Sequence, residues 1–206
     1  MSQTLFTHWY PTPLVYDGTQ LSPHTVLELS GQYGSGLVAF TGGTYVDLAH
    51  MVDLEDVRKK APIESTSMLH LLGEFFHTPL LQGVWMQRLL ISCIADTLID
   101  LNPSLFYTSP LLRHGDDLYW YPECITKPET RRKLSVSIVA PSVSSCLLHV
   151  GLNLSHEGTP VPTAGLTSHG LLPSTHSPEA FAHDVMQRFA SEYASIWRAS
   201  TKVRGV

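Results

Sequence analysis

RKLSVSIV at residues 132–139 and SCLLHVGLNL at residues 145–154 are the two stretches that decide the fold. Polar and apolar residues alternate in both, which is the period of a strand with one buried face. We expect the two strands to pair in antiparallel fashion with their apolar faces together. One set of polar side chains then shares the opposite face: Lys133, Ser135, Ser137, His149 and Asn153.

This polar face has two interpretations. An antiparallel sheet often leaves one face in water, so the face could be ordinary solvated surface. Alternatively it binds a ligand, with Lys133 as a fixed positive charge that stabilises a carboxylate or a developing phosphoryl charge. Lys133 would then act as a cation and not as a nucleophile, because nothing near it in sequence indicates the desolvation that would neutralise it.

Composition bounds the class of protein. A chain of 206 residues is long enough for one well-buried domain and short for two, so we expect a single domain over residues 1–206. Its 43% hydrophobic and 15% charged residues are typical of a folded globular protein. A formal net charge of −5 gives no electrostatic footprint for nucleic acid, so we do not expect a nucleic-acid partner.

Cysteine usage and the apolar runs indicate the compartment. The three cysteines are far apart and odd in number, which argues against a disulfide framework and a zinc ribbon and favours a reducing compartment. Residues 1–11 lack the pattern of a signal peptide, and no run reaches the roughly 18 apolar residues of a membrane span. We therefore expect a cytoplasmic protein with no membrane partner, either a monomer or a homodimer.

The first sixty residues predict a loop, a hairpin and a short helix. Turn signals place three residues on or beside the loop: Tyr16, Asp17 and His24. Residues 36–40 predict a buried strand that stops at a glycine pair and forms a hairpin with residues 45–48. Residues 53–60 predict a helix whose acids come first and bases last; Asp53 and Asp56 either complement its dipole or contact a cation or substrate.

Two helices are predicted next, at residues 67–76 and 79–101. In the second, one apolar stripe recurs at helical spacing: Leu80, Val84, Ile91, Ile94, Leu98 and Leu101. Gln87 interrupts this stripe, with Arg88 beside it. A buried polar side chain without a partner costs about 1 to 3 kcal/mol, so Gln87 either bonds to nearby backbone or reaches a polar pocket.

Short strands are predicted at residues 105–107, 111–113 and 118–121. The turn that follows Arg113 carries adjacent carboxylates, Asp116 and Asp117, which either form an acidic hairpin tip or contribute to a metal site. Neighbouring side chains on a strand diverge, so one metal ion would require the turn to curl.

The C-terminal part predicts a long surface loop at residues 158–178 and then a helix. Ser177 is its N-cap, Pro178 its first residue, and one apolar stripe packs on the sheet: Phe181, Val185, Phe189, Tyr193 and Ile196. The histidines of this part have no ligand spacing. We predict an α+β fold, a mostly antiparallel sheet with helices on one side and the Lys133 face open to a cleft.

Several motifs together resemble one small family. They are Tyr16-Asp17-Gly18 followed by His24, MVDLED at residues 51–56, Gln87-Arg88-Leu89, RHGDDLY at 113–119, Lys133-Leu134-Ser135, HVGLN at 149–153 and Lys202-Val203-Arg204. From residue 16 to 204 the chain resembles domain of unknown function family 366, a branch of the biotin/lipoate protein ligase-like superfamily. The resemblance implies a class II synthetase-like fold in which the strand lysine contacts the substrate carboxylate and the acyl-adenylate.

The resemblance also implies which residues meet in the cleft around Lys133, the residue expected to be catalytic. The substrate-binding set is Tyr16, Asp17, His24, Gln87, Arg88, Arg113, Ser135, Ser137, His149 and Asn153. If ATP is used, Asp116 and Asp117 would hold Mg²⁺. The glycine-rich motifs of biotin and lipoate ligases have no counterpart, and Ser135 and Val136 stand where those enzymes place glycines, so protein biotinylation or lipoylation is not expected.

Three classes of function remain open. The first is a ligase-like or acyltransferase-like protein that binds or activates a small carboxylate-bearing or nucleotide-like ligand. The second binds the same kind of metabolite without turnover. The third is a hydrolase or lyase that uses His24 or His149 with Asp116 or Asp117, although no nucleophile motif such as G-x-S-x-G supports it.

Overall fold

The computed structural model describes residues 4–60, 63–159 and 161–205. Its strands are β1 (Phe6–Trp9), β2 (Gly36–Val46), β3 (Ile63–Phe76), β4 (Leu111–His114), β5 (Asp117–Trp120), β6 (Arg132–Lys133), β7 (Ser135–Pro141) and β8 (Ser145–Asn153). Five strands form the main sheet in the order β1-β2-β3-β8-β7, and β4-β5-β6 form a smaller sheet. Every pairing is antiparallel except that of β1 with β2.

The helices are α1 (Thr25–Ser30), α2 (Leu54–Lys59), α3 (Leu80–Leu101), α4 (Pro103–Thr108) and α5 (Pro178–Thr201). Asp53 caps α2 by accepting from the backbone N–H groups of Glu55 and Asp56, and Ser177 caps α5 by accepting from that of Ala180. Both caps agree with the sequence predictions. Within the described ranges, no helix has the length and apolarity needed to cross a membrane.

The hydrophobic core lies between α3 and α5 and one face of the main sheet. Alternate residues of the inner strands enter it, such as Leu69 and Leu71 from β3 and Leu148, Val150 and Leu152 from β8. This is the period-2 burial expected of a strand. The predicted α+β fold, a mostly antiparallel sheet with the long helices on one side, is therefore confirmed.

The prediction of a helix at residues 67–76 is wrong, because this stretch belongs to β3. Both faces of β3 are covered over most of its length, so apolar residues fall on both faces, as Leu71 and Leu72 do, and the period-2 signal is lost. A continuous apolar run of this kind cannot be distinguished from a buried helix by periodicity. Residues 105–107 show the opposite error, since they lie in α4.

The predicted end of a strand at Gly42-Gly43 is also wrong. β2 continues through both glycines with a bulge and pairs with β3 along its whole length. A side chain at Gly42 would overlap the backbone carbonyl of Leu14, so the glycine permits close approach of the preceding segment. Two stripe residues deviate as well: Leu80 and Ile196 are exposed, because each lies near a helix end where the stripe leaves the core.

Gly83 sets the distance of α3 from the sheet. A Cβ at this position would overlap Sγ of Cys146 on β8 and lie 3.0 Å from Cγ1 of Val139 on β7. Glycine costs an exposed helix interior about 1 kcal/mol relative to alanine, so its presence here reflects this packing.

Gly83→Ala should therefore destabilise the protein by about 1 to 3 kcal/mol, because overpacking outweighs the gain in helix propensity. Urea unfolding measures the change. Cys146→Ala removes the overlapping sulfur atom. In a Cys146→Ala background, Gly83→Ala should therefore lower the free energy of unfolding by less than it does in the wild type. A Gly83→Ala variant that is as stable as the wild type would contradict this account of the packing.

Candidate ligand-binding cleft

A cleft of about 630 Å³ lies on the face of the main sheet that points away from α3 and α5. His149 and Asn153 of β8 form part of its floor, because they alternate with the core residues of that strand. One wall is α2 with its preceding loop, and the other is the hairpin that joins β4 to β5. This volume is typical of a site for a small molecule.

Lys133 lies in this cleft and is ion-paired. Its Nζ is 2.8 Å from Oδ2 of Asp117, and both side chains are largely buried. Burial favours the neutral amine, but the Asp117 carboxylate outweighs it, so the pKa of Lys133 lies above its ordinary value. Burial also raises the pKa of Asp117, against the effect of the Lys133 charge. The pair is an ammonium and a carboxylate at neutral pH.

Ser135 and Ser137 do not share a face with His149 and Asn153, so that part of the predicted polar face is wrong. In the observed register Ser135 is opposite Leu152 and Ser137 is opposite Val150. Cross-strand partners project to the same side of a sheet, so both serines project to the side of the helices. They still belong to the lining of the cleft at its β4-β5 side, where Ser135 accepts from the backbone N–H of Leu118 and Ser137 donates to the backbone carbonyl of Asp116. The prediction had placed the apolar residues of both strands together, and the actual register is shifted by one residue.

Lys133 nevertheless reaches the cleft, because the strand is interrupted between Lys133 and Ser135. Leu134 belongs to no strand, and its side chain is buried in the core with the helices. Leu134 and Ser135 therefore both face the helices, and this irregularity reverses the alternation. Lys133 and Asn153 therefore line the same cleft, as predicted, but they do so because of an irregularity at Leu134 that was not predicted.

Gln87 is buried, and its side-chain amide is hydrogen-bonded to two polar side chains. Its Nε2 donates to Oγ of Ser137 at 2.8 Å and to Oδ2 of Asp116 at 3.3 Å. The Ser137 hydroxyl in turn donates to the backbone carbonyl of Asp116, and Arg88 pairs with the same carboxylate at 3.2 Å. These contacts hold the hairpin against α3, as expected for a polar residue on a buried helical stripe.

The two adjacent carboxylates therefore diverge. Asp116 is engaged by Gln87 and Arg88, whereas Asp117 is paired with Lys133. Among the described residues, no three or more His, Cys, Asp and Glu side chains are arranged to hold a metal ion. A Mg²⁺ ion would have to obtain most of its oxygen ligands from a bound nucleotide.

A buried pair of histidines lies beneath the cleft. Nδ1 of His70 and Nε2 of His149 are 3.0 Å apart, and the Tyr16 ring stacks on His149 at 3.7 Å between centroids. Burial lowers the pKa of His70 to about 4 and the pKa of His149 well below its ordinary value. Burial raises the pKa of Tyr16. The three rings are therefore neutral at pH 7, and one histidine donates to the other.

Five residues of the predicted substrate-binding set lie outside the described lining of the cleft: Asp17, His24, Gln87, Arg88 and Arg113. Asp17 accepts from the backbone and side chain of Thr19 in a turn. The backbone of His24 donates to the buried Glu74 carboxylate at 3.0 Å, and Arg113 donates to the Gly115 carbonyl. Each side chain or backbone group thus serves local structure, which agrees with the structural alternative for Asp17.

The prediction missed His70 and most of the second wall. His70 stands in the run that was assigned to a helix, although a histidine in an apolar run is a signal that a polar partner is needed. The α2 wall contributes Asp53 and Asp56, and β3 adds Glu64 and Ser65. The sequence analysis gave Asp53 and Asp56 two alternatives, helix capping or contact with a cation or substrate. Asp53 caps α2 and also lines the cleft, and its contact with a ligand stays a prediction.

Comparison with known proteins identifies relatives. A family model described as "Domain of unknown function (DUF366)" matches residues 5–204. The solved structure of a protein of unknown function from Pyrococcus horikoshi has a TM-score of 0.81 and 30% identity, covering 97% of this chain and 99% of that one. An uncharacterised protein of Methanocaldococcus jannaschii is 28% identical over 163 residues, which is 77% of this chain and 67% of that protein.

The fold is shared more widely. The biotin protein ligase of Leishmania major, solved in complex with biotinyl-5-AMP, matches with a TM-score of 0.58 at 10% identity, over 98% of this chain and 84% of the ligase. The predicted ligase-like, class II synthetase-like fold is therefore confirmed. At this identity the likeness concerns the fold alone.

The histidine pair predicts a dependence of stability on pH. The folded protein keeps His70 neutral with a pKa of about 4, whereas in the unfolded chain the pKa is near 6.5. The unfolded state therefore binds more protons below pH 6.5, and stability falls as pH decreases toward 4. From pH 7 to pH 5 the contribution of His70 to the unfolding free energy should fall by about 2 kcal/mol.

Urea unfolding at both pH values measures this loss. His70→Gln, which keeps a hydrogen-bonding side chain, should show a clearly smaller loss between pH 7 and pH 5 than the wild type. His183→Gln, at an exposed position on α5, serves as the matched control and should leave the loss unchanged. Equal losses in the wild type and His70→Gln would mean that the histidine pair is not kept neutral by the fold.

Proposed function

The chain belongs to the family described as Domain of unknown function (DUF366), and we propose that its cleft binds a small molecule through an anionic group held at Lys133. The ligand carries a carboxylate or is nucleotide-like. One observation carries the proposal: a protonated lysine, about one third exposed, on the floor of a cleft of about 630 Å³.

The ion pair with Asp117 uses only part of the hydrogen-bonding capacity of the Lys133 ammonium group. An ammonium has three donors and one is used by Asp117 at 2.8 Å, so the others are available to ligand oxygens. Asn153 lines the same cleft, and among the described residues its side-chain amide has no hydrogen-bond partner. Together they provide a charge and an orienting amide at one place, which are the elements needed to recognise a carboxylate or phosphate.

Activation of the ligand is the further step that we propose. The ligase from Leishmania major holds an acyl-adenylate on the same fold. If the carboxylate of the ligand attacks the α-phosphorus of ATP, an acyl-adenylate forms, the bond to pyrophosphate breaks and pyrophosphate leaves; Lys133 would stabilise the charge that develops on the phosphoryl oxygens. Mg²⁺ would enter on the nucleotide, and Asp116 and Asp117 are the carboxylates proposed to contact it. Biotin and lipoate are not proposed, since Ser135 and Val136 stand where those ligases place glycines.

The alternative of a histidine-dependent hydrolase receives no support from the geometry. Nε2 of His149 faces His70, and no carboxylate among the described residues bonds to His149. His24 lies outside the described wall of the cleft. Binding without turnover differs from activation only in the fate of ATP, so ATP consumption in the presence of a bound acid separates the two.

Lys133→Met should abolish binding while the fold survives. Thermal melting with a panel of carboxylic acids and nucleotides, with and without Mg²⁺, detects binding, because a ligand at a hundred times its Kd adds about 2.7 kcal/mol. Lys202→Met, at an exposed position beyond α5, is the charge-matched control and should bind normally. Normal ligand binding by Lys133→Met would rule out the assignment of the anion site.

Asp117→Asn tests the same anion site through a substitution that should preserve or strengthen ligand binding. The substitution removes the carboxylate that competes for the ammonium group and preserves the size of the side chain. Anionic ligands that depend on Lys133 should bind at least as tightly to this variant as to the wild type. Weaker binding would indicate either that Asp117 contacts the ligand itself or that its charge is needed to keep the buried Lys133 protonated; restored binding at lower pH identifies the second cause.

A further inference from the structure

We propose that the ligand of this cleft carries a cationic group, an ammonium or guanidinium, in addition to the anionic group at Lys133. The inference rests on the proposed function and specifies its substrate class as an amine-bearing carboxylate. Its basis is the charge of the wall that faces Lys133.

The cleft contains far more negative than positive side chains. Six carboxylates line it: Asp53, Glu55, Asp56, Glu64, Asp116 and Asp117. Only two ammonium groups do so among the described residues, Lys59 and Lys133. A purely anionic ligand would meet like charge over most of this surface, which opposes binding.

Internal ion pairs neutralise only half of these carboxylates. Lys59 pairs with Glu55 at 3.4 Å, Lys133 with Asp117 at 2.8 Å, and Arg88 with Asp116 at 3.2 Å. Three carboxylates have no cationic partner in the described parts of the chain: Asp53, Asp56 and Glu64. They all lie on the wall formed by α2 and the start of β3, which we call the acidic wall.

Ser65 supplies a second, independent observation on the acidic wall. It follows Glu64 in β3, is only 6% exposed and lines the cleft, yet its Oγ has no hydrogen-bond partner among the described residues. Buried hydroxyl groups are almost always hydrogen-bonded, because leaving one unpaired is costly. A ligand N–H group is a fitting partner, since the hydroxyl oxygen accepts hydrogen bonds.

The acidic wall and Lys133 are close enough to be contacted by one small molecule. Asp56 of α2, Asp117 and Lys133 all line the same cleft of about 630 Å³, a volume that one small molecule can fill. One carboxylate oxygen of Asp53 accepts from the backbone of α2, and the other has no partner among the described residues. The site thus presents a positive and a negative pole to the same ligand.

An organic cation fits the acidic wall better than a metal ion held by protein alone. Mg²⁺ requires close oxygen ligands in octahedral geometry. In the described residues no three metal-ligating side chains are suitably arranged. An ammonium or guanidinium group accepts separated carboxylates and a hydroxyl oxygen, because each of its N–H groups bonds individually.

Matched sets of compounds test the proposal on the full chain. The set comprises the amino acids with uncharged side chains, together with ω-amino and ω-guanidino acids of increasing length. It also contains a derivative of each in which the amine or guanidine is acylated, which keeps the carboxylate and loses the cation, and the amide of each, which keeps the cation and loses the carboxylate. At least one amino acid should raise the melting temperature. Its N-acetyl and amide derivatives should each bind at least tenfold more weakly.

Two variants locate the cation. Asp56→Asn and Glu64→Gln should each weaken binding of that amino acid at least fivefold and leave binding of its N-acetyl derivative unchanged or stronger. Circular dichroism checks the fold; neither side chain is buried, and neither caps a helix. Glu192→Gln, an exposed acid on α5 and outside the described lining of the cleft, is the matched control and should have no effect.

Each other outcome has a defined meaning. If only N-acetyl acids or other anions bind, in a manner lost in Lys133→Met, the inference is wrong and the proposed anion site stands. If only nucleotides with Mg²⁺ bind and binding is lost in Asp56→Asn, the acidic wall serves a metal ion and the inference is again wrong. If no compound binds in a manner that depends on Lys133, both proposals fall.

Discussion

The hydrogen bond between His70 and His149 is the interaction on which the inner sheet depends. β3 and β8 lie between the helices and the cleft, so polar groups on the cleft side of these strands are largely shielded from water. At 3.0 Å each histidine satisfies the other, and the stacked Tyr16 ring covers them. Replacing one partner would leave a buried ring nitrogen unpaired, which is why the pair functions as a unit.

The periodicity of apolar residues and the helix N-cap residues were enough to predict much of the fold. The alternation of residues 145–154 identified β8, and a cap with an apolar stripe identified α5. β3 could not be predicted in this way, because a strand buried on both faces reads as a continuous apolar run. The sequence of β3 contains no local feature that identifies the strands with which it pairs.

Only part of the candidate site was predicted, and the reasons can be given residue by residue. Lys133 and Asn153 were correctly brought together, but the interruption at Leu134 is invisible in a pattern of alternation. Asp53 and Asp56 of the acidic wall were predicted only as one of two alternatives, because their positions at the start of α2 are also explained by helix capping and the helix dipole, and Glu64 was not predicted at all. Family likeness to ligases, at 10% identity, could supply the fold but not the charge of this wall.

The helix α2 buries none of its side chains, although it forms part of the wall that faces Lys133. The hydrophobic core therefore gains little from the identity of its residues, and the hydrogen bonds that fix the start of the helix come from Asp53, the residue before it. Most positions here are therefore free to diverge between relatives without loss of stability. Related proteins could exchange one ligand preference for another by altering this short helix alone, while the sheet and the lysine stay unchanged.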